Sequence, residues 1–119
     1  MDKRLSFKIA LVHDALCSVG GAEKVFQYLC EEFEEADIYS CCYNPKKTLD
    51  YFKKKLIHIP PIGKYIKSPF EFRLSFPLSI NAMRKIDLSK YDIILSSSAS
   101  VAKYVTASKQ AKHFCYCYY

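Results

Sequence analysis

The stretch Lys8 to Lys24, KIALVHDALCSVGGAEK, limits most what this chain can fold into. Phe7 to Val12 is apolar except for Lys8 and dense enough for a strand buried on both faces. From Ala22 to Phe33 the apolar residues recur at helical spacing instead, and between the two lies a loop, Ala15 to Gly21, ending in adjacent glycines. Strand, glycine loop and helix in this order predict an α/β chain around a parallel sheet. Ligands of such sheets sit beyond the carboxyl ends of the strands, and residues without side chains just before a helix let backbone N–H groups approach a phosphate or a sugar hydroxyl. Gly20 and Gly21 are therefore the first candidates for a ligand site, with His13 and Asp14 marking the end of the strand before them.

The following helix is expected to bury Ala22, Val25, Phe26, Leu29, Cys30 and Phe33 along one stripe. Glu31, Glu32, Glu34 and Glu35 crowd its last turn, where acidic residues oppose the helix dipole and mark a solvated end rather than a metal site. A second strand is expected over Asp37 to Tyr43. Asn44 before Pro45 predicts a short helix running through Phe52 and ending in Lys53, Lys54 and Lys55. Leu56 to Ile59 reads as a third strand, stopped by Pro60 and Pro61. The run Ser68-Pro69-Phe70-Glu71 is a capping box that starts another helix, and Pro77 predicts either a kink in it or two short helices.

Asp87 to Asp92 reads as a polar turn, and a strand beginning at Tyr91 to Leu95 reaches the serine run Ser96, Ser97, Ser98 at its carboxyl end. Ser98 either caps a short helix over Ala99 to Thr106 or, with its neighbours, offers hydroxyls to a ligand. The last strand, His113 to Tyr119, puts His113, Cys115, Cys117 and Tyr119 on one face and Phe114, Tyr116 and Tyr118 on the other. Polar residues thus converge on one edge of the sheet from three strands. Such an edge specifies a place for a ligand and no reaction.

A length of 119 residues suits one domain or part of one, and a chain half apolar is not disordered. The net charge of +6 favours anionic partners such as phosphates, membrane surfaces or nucleic acid without choosing among them, and solubility alone accounts for it equally. The six cysteines are expected to be buried free thiols, because they fall inside apolar runs and fit a reducing compartment. The first apolar run is broken by Lys8 and stopped by His13 and Asp14, too short for a secretory signal, and no run reaches a transmembrane length. A cytoplasmic location is expected, with peripheral contact to a membrane left open. That opening comes from residues 62 to 86, which hold more apolar and aromatic residues than one buried stripe needs. Six basic residues against two acidic ones also give residues 60 to 90 a net +4. This segment either lies on an anionic membrane or holds a lipid-linked substrate, or it packs on the sheet or on another part of the protein.

Several chemistries are disfavoured by the motifs. The loop S-V-G-G-A-E-K matches neither G-x-G-x-x-G nor G-x-x-x-x-G-K-[ST], so no nicotinamide or ATP cofactor is expected. Cys115, Cys117 and His113 have no second pair at ligand spacing, so no metal is expected either. A phosphorylation receiver would find its first carboxylate in Asp14, but the third strand ends in Ile57-His58-Ile59-Pro60 and the last in tyrosines. No serine stands in a G-x-S-x-G elbow. Basic residues gather with aromatics only at 62 to 86, and no nucleic-acid partner is expected.

The runs KIALVHDALCSVGGAEKVFQYLCEEFEEADIYS, DLSKYDIILSSSASVAK and HFCYCYY, in this order, resemble the amino-terminal domain of family 4 glycosyltransferases, particularly the mannosyl- and rhamnosyltransferase-like members. The resemblance runs from about Phe7 to the last residue, with the middle matching only in pattern. It implies a GT-B architecture: a Rossmann-like parallel sheet with helices on both faces, forming the amino-terminal half of two domains that face each other across a cleft. Gly20 and Gly21 match the family's glycine loop, which meets the donor's phosphates and sugar. His13 and Asp14 match its HD pair near the cleft, and Ser97 and Ser98 would lie toward the acceptor. The family transfers a hexosyl group from a nucleotide sugar with retention and without an obligatory metal. Two departures stand out: Tyr118 occupies the position of the family's histidine at the reacting sugar, and the nucleotide-binding domain does not follow Tyr119.

The expected function is therefore the acceptor-side domain of a retaining glycosyltransferase, inactive alone, whose partners are a nucleotide-sugar donor and a glycan or lipid-linked acceptor once a second domain completes it. The alternative is a non-catalytic interaction or membrane-surface module that retains the fold. Stopping within an apolar strand would also leave a sheet edge open to self-association.

Overall fold

A computed structural model describes residues 8–98, 101–106 and 111–117. The apolar run forms strand β1, Ile9–His13, and its neighbours are all parallel: β2 (Asp37–Ser40), β3 (Ile57–His58), β4 (Ile93–Ser98) and β5 (Lys112–Cys117). The sheet order is β3-β2-β1-β4-β5. The chain therefore builds outward from β1 on one side and returns to build on the other, so the order reverses between β1 and β4. In doubly wound folds that reversal opens a crevice at the carboxyl ends of the two strands. Here His13 pairs in register with Ser97 across it.

Both faces of the central strands are covered. Leu11 points toward helix α1, Gly21–Glu32, and packs in one cluster with Phe26, Cys30, Ile38 and Phe52. Ala10, Val12 and Ile94 point the other way, to Phe72, Met83, Leu88 and Tyr91. The period-two alternation along β1 thus feeds two cores, which is why the strand reads as almost continuously apolar. Helices α2 (Pro69–Leu74) and α3 (Phe76–Arg84) cover the second face. The Ser68 hydroxyl accepts the Glu71 N–H at 3.2 Å, as the capping box predicts, while the Glu71 carboxylate reaches back to the Lys67 N–H at 2.7 Å.

Several expectations are corrected. The second strand stops at Ser40 rather than Tyr43, because the loops after β1 and β2 continue as a narrow zipper: the Leu16 N–H donates to the Cys42 carbonyl at 2.9 Å and the Asn44 N–H to the Leu16 carbonyl at 2.8 Å. Asn44 opens no helix through Phe52. Its Oδ1 accepts the Lys46 N–H and its amide donates to the Lys67 carbonyl, a local turn that competes with helix, and helical geometry returns only as a 3₁₀ turn over Asp50–Lys54. The third strand shrinks to two residues. Phe33 falls beyond α1 and is exposed, whereas Glu23 joins Phe26 and Cys30 as the helix's buried residues. The serine run forms the carboxyl end of β4, as expected. After it, the described residues show a 3₁₀ turn over Ala102–Tyr104 in place of an α-helix. Cys17, Cys30, Cys41 and Cys42 are free and buried, but Cys115 is exposed, as are Phe114 and Tyr116 beside it on the edge strand β5. Phe7, Ala99, Tyr118 and Tyr119 lie outside the described residues.

Candidate functional site

Residues at the crevice between β1 and β4 are tied together by polar contacts. His13 is 1% exposed, stacked on Phe26 with ring centroids 4.8 Å apart. Its Nδ1 lies 3.2 Å from the Ser97 carbonyl oxygen and its Nε2 3.0 Å from Glu23 Oε2. A carbonyl oxygen only accepts, so Nδ1 carries a hydrogen. Nε2 faces Glu23 Oε2, so the ring bridges the end of β1 to the first turn of α1.

Asp14 works beside it. Its Oδ1 accepts the Ser98 hydroxyl at 2.9 Å, the Val101 N–H at 3.0 Å and the Ala102 N–H at 2.7 Å. Three donors on one buried carboxylate oxygen satisfy amides that have left the sheet at the end of β4. Ser97 and Ser98 are both buried, and the Ser98 hydroxyl is donated to the protein's own carboxylate. The sequence-predicted residues His13, Asp14, Ser97 and Ser98 are thus gathered at one place, where they join β1 to β4.

The glycine loop approaches from α1. Gly20 is extended (φ −152°, ψ −176°) and is the residue before the helix, and no side chain caps the helix there. Its conformation suits any residue, but the space is tight: a Cβ at Gly20 would sit 3.1 Å from Glu23 Oε1, which would have to give way. A Cβ at Gly21 would meet open space. Among the described residues nothing accepts from the Gly20 or Gly21 amide. Two amide groups at the start of a twelve-residue helix therefore stand open to an anion or a hydroxyl.

Glu23 was missed by the sequence reading. One of its carboxylate oxygens bonds to His13 and ties the first turn of α1 to β1, while the other occupies the space that a side chain at Gly20 would enter. Its signal was present as a charged residue three before Phe26 and seven before Cys30, on the stripe that α1 buries. Within the loop, Cys17 is hydrogen-bonded to Cys42, which draws the Cys17 thiol below its ordinary pKa. That same bond, together with burial, pushes Cys42 up. Burial likewise raises Cys41, and lifts Cys30 inside α1 to about 12. His113 on β5 is lowered by burial and meets the Ser96 hydroxyl at 2.9 Å.

A hollow of about 710 Å³ lies at the opposite end of the sheet from the candidate edge, among Lys8, the end of α1 and Tyr91. A second, of about 450 Å³, lies between β3 and α3. Neither is lined by His13, Asp14, Gly20 or Gly21. Among the described residues no three His, Cys, Asp or Glu side chains gather as a metal would require.

Comparison with protein-family models, curated proteins and solved structures finds no match for this chain. The fold itself is a Rossmann-like α/β fold with a five-stranded parallel sheet, and no described helix is long and apolar enough to cross a membrane.

Proposed function

We propose that the protein is the acceptor-side domain of a retaining glycosyltransferase of the family 4 type, acting on a nucleotide-sugar donor and a glycan or lipid-linked acceptor. The observation that carries this reading is the pair of open amides at Gly20 and Gly21, beside the sheet's reversal point. Transfer from a nucleotide sugar leaves a diphosphate, and fixed N–H dipoles aimed at that developing charge stabilise it without reorganising. The positive end of the α1 dipole acts in the same direction. His13 and Glu23 set the loop's position and do not themselves touch the sugar.

Transfer also requires an acceptor hydroxyl held in line with the anomeric carbon. A facing domain would grip the nucleotide, so the chain by itself binds the donor weakly and does not turn it over. The order of HD, GGAEK and the serine run supports the family reading, as does a sheet order shared with dinucleotide-binding folds.

Titration of ¹⁵N-labelled protein with UDP- and GDP-hexoses tests the proposal. The Gly20 and Gly21 amide resonances should move first, at millimolar ligand. Gly21→Ala meets no internal obstacle, so it should fold normally and lose the response. Shifts elsewhere only, or an unchanged response in Gly21→Ala, would point to a non-catalytic module that keeps the fold.

A further inference from the structure

Helices α2 and α3 are apolar on two opposite sides. Ser75 alone separates them, and its N–H still reaches the Glu71 carbonyl while the Ser79 N–H reaches that of Ser75, so they run as one helix broken by Pro77. Phe72, Ser79 and Met83 are the buried row. At about 100° per residue, Phe70, Leu74 and Leu78 form a second row on the far side. They are 66%, 68% and 63% exposed, and Tyr65 just before them is 80% exposed. One row completes the core, and the other, among the described residues, is exposed and belongs to neither core cluster.

Charge around the second row is one-sided. Lys64, Lys67, Arg73, Arg84 and Lys85 are exposed near it. Two carboxylates share the stretch: Glu71 already accepts the Lys67 N–H, and Asp87, beyond the end of α3, accepts the Ser89 N–H. The hollow between β3 and α3 adjoins the row through Leu78, is lined by Ile62, Ile86 and Lys85, and contains no carboxylate.

We propose that this face docks on an anionic bilayer surface, with Tyr65, Phe70, Leu74 and Leu78 entering the interfacial layer and Lys64, Lys67 and Arg73 meeting headgroup phosphates. Large apolar side chains ringed by cations are what an interfacial helix needs, whereas a protein partner would call for some complementary carboxylates on the ring. The proposal stands on residues outside the glycine loop and does not depend on the sugar-transfer reading.

Flotation of the full chain with vesicles tests it. Binding is expected to mixed phosphatidylglycerol and phosphatidylcholine vesicles, not to phosphatidylcholine alone, and should weaken with salt. Lys64→Glu with Lys67→Glu should lower partition roughly tenfold or more. Lys53→Glu with Lys54→Glu should leave it nearly intact, since that turn packs on the other face of the sheet through Phe52 and makes the same change in net charge. Leu74→Gln with Leu78→Gln should abolish flotation while the circular dichroism and melting temperature hold. The idea is overturned by equal losses from the two charge pairs, by flotation that survives the leucine replacements, or by a dimer in sedimentation that those replacements dissolve without any vesicle binding.

Discussion

The crevice between β1 and β4 and the helical face at Tyr65 to Leu78 solve opposite problems. At the crevice, charged and polar groups are buried and each is answered by a partner: His13 by Ser97 and Glu23, Asp14 by Ser98, Val101 and Ala102. On the helical face, large apolar groups are exposed and, among the described residues, belong to neither core cluster. Removing a partner should therefore be costly at the crevice and nearly free on the helices, where replacing Leu74 and Leu78 by Gln is expected to shift stability by less than about 0.5 kcal/mol each. What a region does for the fold and what it offers outward are inversely related here.

Asp14→Ala is the strongest way to break this contrast. It strands three donors in a buried place, and urea unfolding should show a loss of about 3–5 kcal/mol. A loss no larger than that of the leucine replacements would mean that water satisfies those amides, and the crevice would be a surface like the other. Glu23→Ala comes next, at about 1–3 kcal/mol, since it removes one partner of the His13 pair. Glu23→Gln should recover most of it, because an amide still bonds to the imidazole. A Gln variant as weak as the Ala variant would show that charge rather than bonding geometry holds the pair.

The smallest effect marks where the tied region ends. His113, bonded to Ser96 at the margin of the sheet, has its pKa lowered by burial from an ordinary value of about 6.5. Between the lowered value and the ordinary one the unfolded chain binds a proton that the folded chain does not. Stability therefore declines as pH falls from about 6.5 to the folded value and levels off below it. Urea midpoints across this window should show a shallow slope that His113→Gln flattens. A slope that persists in the variant would assign it to another group.

Much of the architecture was legible because it is written locally. The dense apolar run predicts a strand buried on both faces, and β1 is that strand. Ser68-Pro69-Phe70-Glu71 predicts a helix start, and the cap bond forms. Boundaries were read less well wherever a side chain or loop outbid the local pattern, as Asn44 did by turning on Lys46 and reaching Lys67. The glycines show the same limit. The adjacent pair draws the eye, yet Gly63 is the one whose added Cβ would collide with backbone, at the Cys41 carbonyl.

By itself, then, the sequence determined the alternation of strands and helices, the parallel sheet and the glycine loop opening α1. Periodicity and caps act over a few residues and survive without knowledge of the rest. Only the tertiary structure decided that His13 and Asp14 each find a partner 84 residues away, that Glu23 closes on His13, and that Phe70, Leu74 and Leu78 face outward. Those outcomes depend on which elements become neighbours once the sheet reverses direction between β1 and β4, and no local pattern carries that information.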